Sequence, residues 1–301
     1  MAKGYRLKMK GQRIRIVSPS GVIDPAFIEG ATARLQVWGY TVTEGPHTRD
    51  AWGRFAGTDE DRLADLTEAL HDDNVDWILC SRGGYGLQRI LDRVPPITKP
   101  IIGFSDITAL HQQSAISKVR PASVHGIMCK HIATLPEESE PLQALRKVLA
   151  GEKLSYEWES HPLNRPGTVS GPVIGGNLSV LYGLQGTPFS LQQSVISIQK
   201  PILLIEDIGE RHYHIDRMMR NLRMSGVLAQ LSGLIIGQFS DCEDDDLMNC
   251  SIYETIFESV RDYSYPVAFN VPVGHVEKNM PLWLNTTAML SVTPQGVQLQ
   301  Y

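Results

Sequence analysis

An activated hydroxyl needs a serine, a histidine and a carboxylate, and Ser105, His275 and Glu206 are among the candidates that this 301-residue sequence offers. A serine attacks a carbonyl carbon efficiently only when a base takes its proton, and that base needs a carboxylate to orient it. Ser105 stands in Ile101-Ile102-Gly103-Phe104-Ser105-Asp106-Ile107, where a buried-type strand turns sharply into a helix. Such a junction lifts the hydroxyl above the carboxyl edge of a sheet. It also brings the first N–H groups of the helix close by, where a developing oxyanion can be held. Gly103 relieves crowding two residues before the serine. Ile107 stands where a nucleophile elbow usually carries a second glycine, so the match is partial. A serine at this place also serves as a helix N-cap, and the local motif leaves both roles open.

The base has nine histidine candidates. His275 ends Val271-Pro272-Val273-Gly274-His275, a loop just past a predicted strand, and loops at strand ends are where catalytic groups concentrate. Glu206 follows Pro201-Ile202-Leu203-Leu204-Ile205, at the end of a buried apolar strand. A carboxylate there needs a partner, and a histidine N–H would serve. Spacing alone does not single out these three residues. Ser81-Arg82-Gly83-Gly84-Tyr85-Gly86 reads as a tight glycine turn with backbone N–H groups to offer. It is not G-x-G-x-x-G, which argues against a Rossmann oxidoreductase. Glu243-Asp244-Asp245-Asp246 lacks the alternating spacing and glycine of a calcium loop and reads as a solvated loop or helix start. Cys80, Cys129, Cys242 and Cys250 match no zinc pattern and read as reduced thiols.

Alternating elements must position these groups. Arg13–Val17 reads as a strand closed by Ser18-Pro19-Ser20-Gly21, and Asp24-Pro25 as the N-cap and first position of a helix to about Trp38. Tyr40–Glu44 reads as a strand and 45–57 as a loop. Thr58 with Asp61 resembles a capping box opening a helix to about His71. Asp76–Cys80 and Pro100–Phe104 read as strands, each followed by a helix, and Ala122–His125 as a further strand. This alternation indicates an α/β fold with an N-terminal parallel sheet covered by helices. Residues 1–150 form the expected N-terminal domain. Residues 151–174, rich in glycine and proline, read as a linker. Residues 175–301 form a smaller C-terminal α/β domain rich in strands, with candidates at Ile202–Glu206, Gly233–Gly237 and Pro266–Asn270. A strand pair lies between Ala288 and Gln300 around Pro294-Gln295-Gly296.

A length of 301 residues suits about two domains at roughly 150 residues each. The composition is 42% hydrophobic and 20% charged, which supports a core without disulfides or metals. A net charge of -5 offers no basic field for nucleic acid. The basic N-terminus lacks the apolar run of an export signal, and no stretch approaches the ~20 apolar residues of a membrane span. The expected location is therefore cytoplasmic. A two-domain small-molecule binding protein of the periplasmic type would need such a signal and no nucleophile.

Several segments together resemble the LD-carboxypeptidase family, the murein tetrapeptide carboxypeptidases. They are Ser81–Gly86, Gly103-Phe104-Ser105-Asp106-Ile107-Thr108-Ala109-Leu110, Gly175-Gly176-Asn177-Leu178-Ser179, Glu206-Asp207-Ile208-Gly209-Glu210 with Ile215-Asp216-Arg217-Met218, and Gly274-His275. They fall in the family's order across almost the whole chain. The resemblance implies Ser105 as nucleophile, His275 as general base and Glu206 as its orienter, in a cleft between the two domains. It implies a murein peptide substrate cut before a terminal D-alanine, with no metal or organic cofactor. The backbone N–H groups of Asp106 and Gly84 are the expected oxyanion donors. Arg82 is the nearest candidate for the substrate carboxylate, with Gly83 and Tyr85 beside it. Val276-Glu277 after the histidine departs from the small residue common in the family and bears on pocket shape. A rival within the family is an immunity-type peptidase acting on a peptidyl-nucleotide antibiotic, with Trp158 as a platform for the base. A homodimer is compatible with the sequence, which does not fix the oligomeric state.

Overall fold

The computed structural model describes residues 13–301. The N-terminal reading for an export signal falls largely on residues before 13, outside the described residues. In the first half the strands are β1 (Arg13–Val17), β2 (Thr41–Glu44), β3 (Trp77–Cys80), β4 (Ile101–Gly103) and β5 (Ser123–His125). Between and after them run α1 (Pro25–Val37), α2 (Asp59–His71), α3 (Thr108–Ile116), α4 (Cys129–Thr134) and α5 (Glu140–Leu149). The starts of α1 and α2 are chemical. Asp24 Oδ1 accepts from Ala26 N–H at 2.9 Å ahead of Pro25, and Thr58 with Asp61 forms the reciprocal capping box. These five strands are parallel. β3 is buried at all four positions, as a strand covered on both faces must be.

One expected helix is absent. After Gly86 the chain makes two short 3-10 turns, Leu87–Arg89 and Leu91–Arg93. Pro95 follows closely, and a residue before proline is driven out of the helical region; Val94 is accordingly extended.

The second half is built on β6 (Ser155–Trp158), β7 (Gly167–Asn177), β8 (Ile202–Ile208), β9 (Gly233–Ser240), β10 (Val267–Ala268), β11 (Leu282–Leu284), β12 (Thr287–Thr293) and β13 (Gly296–Gln300). Its helices are α6 (Leu178–Gly183), α7 (Leu191–Ser197), α8 (His212–Met224) and α9 (Ile252–Val260). Seven strands form its sheet, in the order β10-β9-β8-β7-β12-β13-β6. Residues 151–174, expected as a linker, carry β6 and the first part of β7. The glycines and Pro172 are tolerated because this part of β7 pairs with β12 alone, and β8 joins only from Val173 onward.

The first sheet runs β11-β5-β4-β3-β1-β2. Its end strand β11 therefore comes from the far end of the chain and pairs antiparallel with β5. A single buried apolar cluster includes Trp77 of β3, Trp283 of β11, Leu204 of β8 and Leu290 of β12. The two tryptophan rings lie 5.9 Å apart. Among the described residues no helix is long and apolar enough to cross a membrane.

Candidate active site

Ser105 stands where β4 has ended and α3 has not yet begun. Phe104 is extended, and Ser105 itself has φ 65°, which L side chains seldom adopt without a structural reason. A 3-10 turn, Ser105–Ile107, then leads into α3. Neither the turn nor α3 has a side-chain cap. Among the described residues the Ser105 hydroxyl makes no hydrogen bond, so the N-cap alternative does not occupy it. The Gly-rich loop presses on this hydroxyl. A Cβ at Gly83 would lie 2.7 Å from Ser105 Cβ and 3.0 Å from its Oγ, so only glycine permits this approach. A Cβ at Gly103 would meet the Ile107 side chain at 2.9 Å, so the isoleucine fills the space that a small residue at 103 leaves.

Glu206 lies within β8, two residues before its end, fully buried. Its Oε2 accepts from His275 Nδ1 at 2.8 Å. That bond puts the ring proton on Nδ1 and leaves Nε2 free to accept one. Burial pushes the Glu206 carboxyl up, but the neighbouring imidazoles of His125 and His275 outweigh it and hold the group down at about 2. The loop before His275 is cut to fit: a Cβ at Gly274, where φ is 127°, would collide with Glu206 Oε2 at 2.8 Å. Gly274 N–H donates to the buried Asn279 Oδ1 at 3.0 Å, which fixes the loop from its other side. The His275 ring lies edge-on to Phe104, centroids 4.9 Å apart, beside the serine.

Several supporting side chains were not singled out in the sequence. Asp106 offers its buried Oδ2 to Ser20 Oγ at 2.7 Å and Leu87 N–H at 2.9 Å. It thereby ties the loop after β1 and the Gly-rich loop to the serine turn. Burial raises its carboxyl pKa. His111 Nε2 donates to Gly103 O at 2.9 Å, so its Nδ1 is bare and accepts from Ser123 Oγ at 2.6 Å. Burial drives this imidazole down to about 3, so it is neutral and structural. Asp207, next to Glu206, faces the other way. It accepts from Ser179 N–H at 2.7 Å and Asn177 Nδ2 at 2.9 Å, and burial, then the Glu206 charge, push it up to about 7. Sequence alone offered one signal for these groups: each polar residue sits in or beside an apolar run.

Ser105, Gly83, Gly84 and Arg82 line one cavity of about 520 Å³ together with His275 and Ile208 from the second half. Ile23, Phe27, Phe104 and Met128 give it apolar wall, and Lys130 and His131 of α4 add polar groups. Burial first, then the charges of Lys130 and His275, push His131 down to about 4. Arg82 Nη1 donates to Val22 O at 2.7 Å, which anchors the guanidinium while leaving other N–H groups for a ligand. Tyr85, expected at the substrate, instead packs its ring on Phe55 at 5.9 Å, outside the cavity lining. Trp158 stacks on Tyr156 at 5.2 Å in the edge strand β6, also outside the lining. The acidic run serves as caps: Asp244 and Asp245 accept from Ile252 and Leu247 N–H groups.

The family profile of the LD-carboxypeptidase N-terminal domain matches residues 14–126, and that of the LD-carboxypeptidase C-terminal domain matches residues 170–290. The "probable murein peptide carboxypeptidase" of Bacillus subtilis is 35% identical, over 97% of this chain and 92% of its own. The crystal structure of muramoyltetrapeptide carboxypeptidase from Oxalobacter formigenes superposes with a TM-score of 0.84 at 27% identity, covering 96% of this chain and 98% of that one. The microcin C7 self-immunity protein MccF shares the fold, with a TM-score of 0.82 at 21% identity over 98% of this chain and 97% of its own. On these matches, which span both halves and both sheets, the chain belongs to the LD-carboxypeptidase family of serine peptidases.

Proposed function

We propose that this protein hydrolyses the amide bond between an L-configured centre and the terminal D-alanine of a murein tetrapeptide, with Ser105, His275 and Glu206 as its triad. The carrying observation is the 2.8 Å bond from His275 Nδ1 to a buried Glu206, with His275 and Ser105 lining one cavity. In the first step Ser105 Oγ bonds to the carbonyl carbon while its proton passes to His275 Nε2. The oxyanion is held by backbone N–H groups of Asp106 and Gly84, as donors fixed in advance of the charge stabilise it best. Collapse breaks the C–N bond, the proton goes from His275 to the leaving amine, and D-alanine departs. Water then attacks the acyl-serine with His275 again as base, releasing the tripeptide and restoring the hydroxyl.

Arg82 is suited to the terminal carboxylate, because its guanidinium can grip both oxygens. Lys130, a second cation on the lining, suits an acidic peptide. The murein names of the relatives support the substrate class, and such a cut fits turnover of wall peptides inside the cell.

The test incubates purified protein with free murein tetrapeptide and follows D-alanine and tripeptide by mass spectrometry. Wild type releases both. Ser105→Ala lowers kcat by on the order of 10³–10⁶ while keeping the fold. Near-normal turnover in that variant would sink the serine mechanism. Release of an amino acid only from a peptidyl-nucleotide would move the substrate to the antibiotic class.

A further inference from the structure

The triad uses one oxygen of Glu206. The other, Oε1, has no hydrogen-bond partner among the described residues, although it is fully buried. Facing it at 3.6 Å is Nε2 of His125, also fully buried, and neither nitrogen of that ring has a partner either. Buried polar atoms are nearly always paired, since each loses its hydration without replacement otherwise. Here two unpaired buried atoms face each other, and closing the gap by a few tenths of an ångström would make a normal N–H···O bond.

The backbone gives this contact a purpose. His125 ends β5 and sits in register with Gly103 of β4, two residues before Ser105. On its other side it registers with Leu282 of β11. Its ring is thus carried by the sheet that carries the serine, whereas Glu206 belongs to the other sheet.

We infer that His125 is a positioning residue, which donates Nε2–H to Glu206 Oε1 and so locks the orienting carboxylate to the serine's sheet. This rests on the triad reading above. A carboxylate held at both oxygens cannot rotate away from His275, and it shares its negative charge between two imidazoles. Removing His125 therefore leaves more of that charge on His275, which favours the imidazolium and moves its protonation to higher pH. The direction is the same whether His125 is neutral or charged. The other titratable groups around the pair are Asp207 on β8, Lys130 and His131 on α4, and His111 on α3, which faces His125.

The experiment compares wild type, His125→Phe and His125→Gln; the glutamine amide nitrogen can replace imidazole Nε2. The protonation midpoint of His275, followed by NMR of ring-labelled protein, needs no substrate. It is expected to rise by about 0.5–1 pH unit in His125→Phe and to return towards wild type in His125→Gln. On murein tetrapeptide, kcat falls about 10- to 100-fold in the phenylalanine variant with KM little changed, and the glutamine variant recovers most of it. An unmoved midpoint in a folded His125→Phe, or equal losses in both variants, overturns the inference. Should the phenylalanine variant not fold, nitrogen spectra of the wild type decide: Nε2–H on His125 supports the contact and a bare Nε2 refutes it. Failure of wild type to cut the peptide would refute the substrate while leaving the NMR result to judge His125.

Discussion

Two adjacent carboxylates on β8 illustrate how much a single residue step decides. Side chains alternate along a strand, so Glu206 shares a face with Ile202 and Leu204, and Asp207 shares the opposite face with Leu203 and Ile205. The first face looks towards His275, the second towards α6 and Asn177. On the proposed triad, Glu206→Gln keeps the shape but removes the charge that would stabilise the imidazolium and fix its tautomer. Its kcat is expected to fall by on the order of 10³–10⁴, and a wild-type rate in that variant would remove Glu206 from the mechanism. Asp207 has a different signature. Its native pKa of about 7 lies above the ~3.9 of an unfolded aspartate. The native chain therefore binds this proton more tightly than the unfolded chain, and Asp207 subtracts stability as pH climbs from about 4 to about 7. Urea unfolding of Asp207→Asn beside wild type across that window checks the sign: the variant loses less stability with rising pH, and parallel curves contradict it. Glu206 has the opposite sign: with its pKa depressed to about 2, its contribution is fully present above the ordinary carboxylate range and is lost only as pH falls below this window.

At the scale of elements, the site is a meeting of strand ends and the loops beyond them. Much of this was legible in the sequence. Asp24-Pro25 and Thr58 with Asp61 announced helix starts by hydrogen-bonding chemistry that is local. The β12–β13 hairpin followed from its turn residues. What could not be read is what non-local contacts decide. Nothing around Asp106 foretells that its carboxylate holds Ser20 and Leu87, residues 86 and 19 positions away. Asp106→Ala strands both donors and should cost about 2 kcal/mol, with a drop in kcat/KM as the Gly-rich loop loosens. Asp106→Asn retains an oxygen for both and should lose much less; equal losses by denaturation would show that the two bonds do not matter. The same reasoning covers Tyr85, whose neighbour Gly84 lines the cavity while its own ring turns to Phe55.

For the molecule as a whole, the two sheets are joined close to the candidate site. Thr108 Oγ1, three residues after the serine, accepts Asn177 N–H at 2.9 Å from the end of β7. Gly176 lets it come that close, since a Cβ there would meet the same oxygen at 2.5 Å. Thr108→Val leaves that buried N–H unpaired and is expected to lower stability by about 1–3 kcal/mol, measured as a fall in the urea midpoint; an unchanged midpoint would show that the contact is dispensable.

β11 adds a consequence of another kind, one of timing. A ribosome makes the chain from its N-terminus, and domains generally fold as they emerge. The first sheet, however, takes its end strand from Leu282–Leu284. The serine's sheet stays one strand short until Leu282–Leu284 have been made, well after its other strands, and the His275 loop just precedes that same segment. On the proposed triad, a polypeptide released before this segment would carry the nucleophile without its base, and an unfinished copy would be inert.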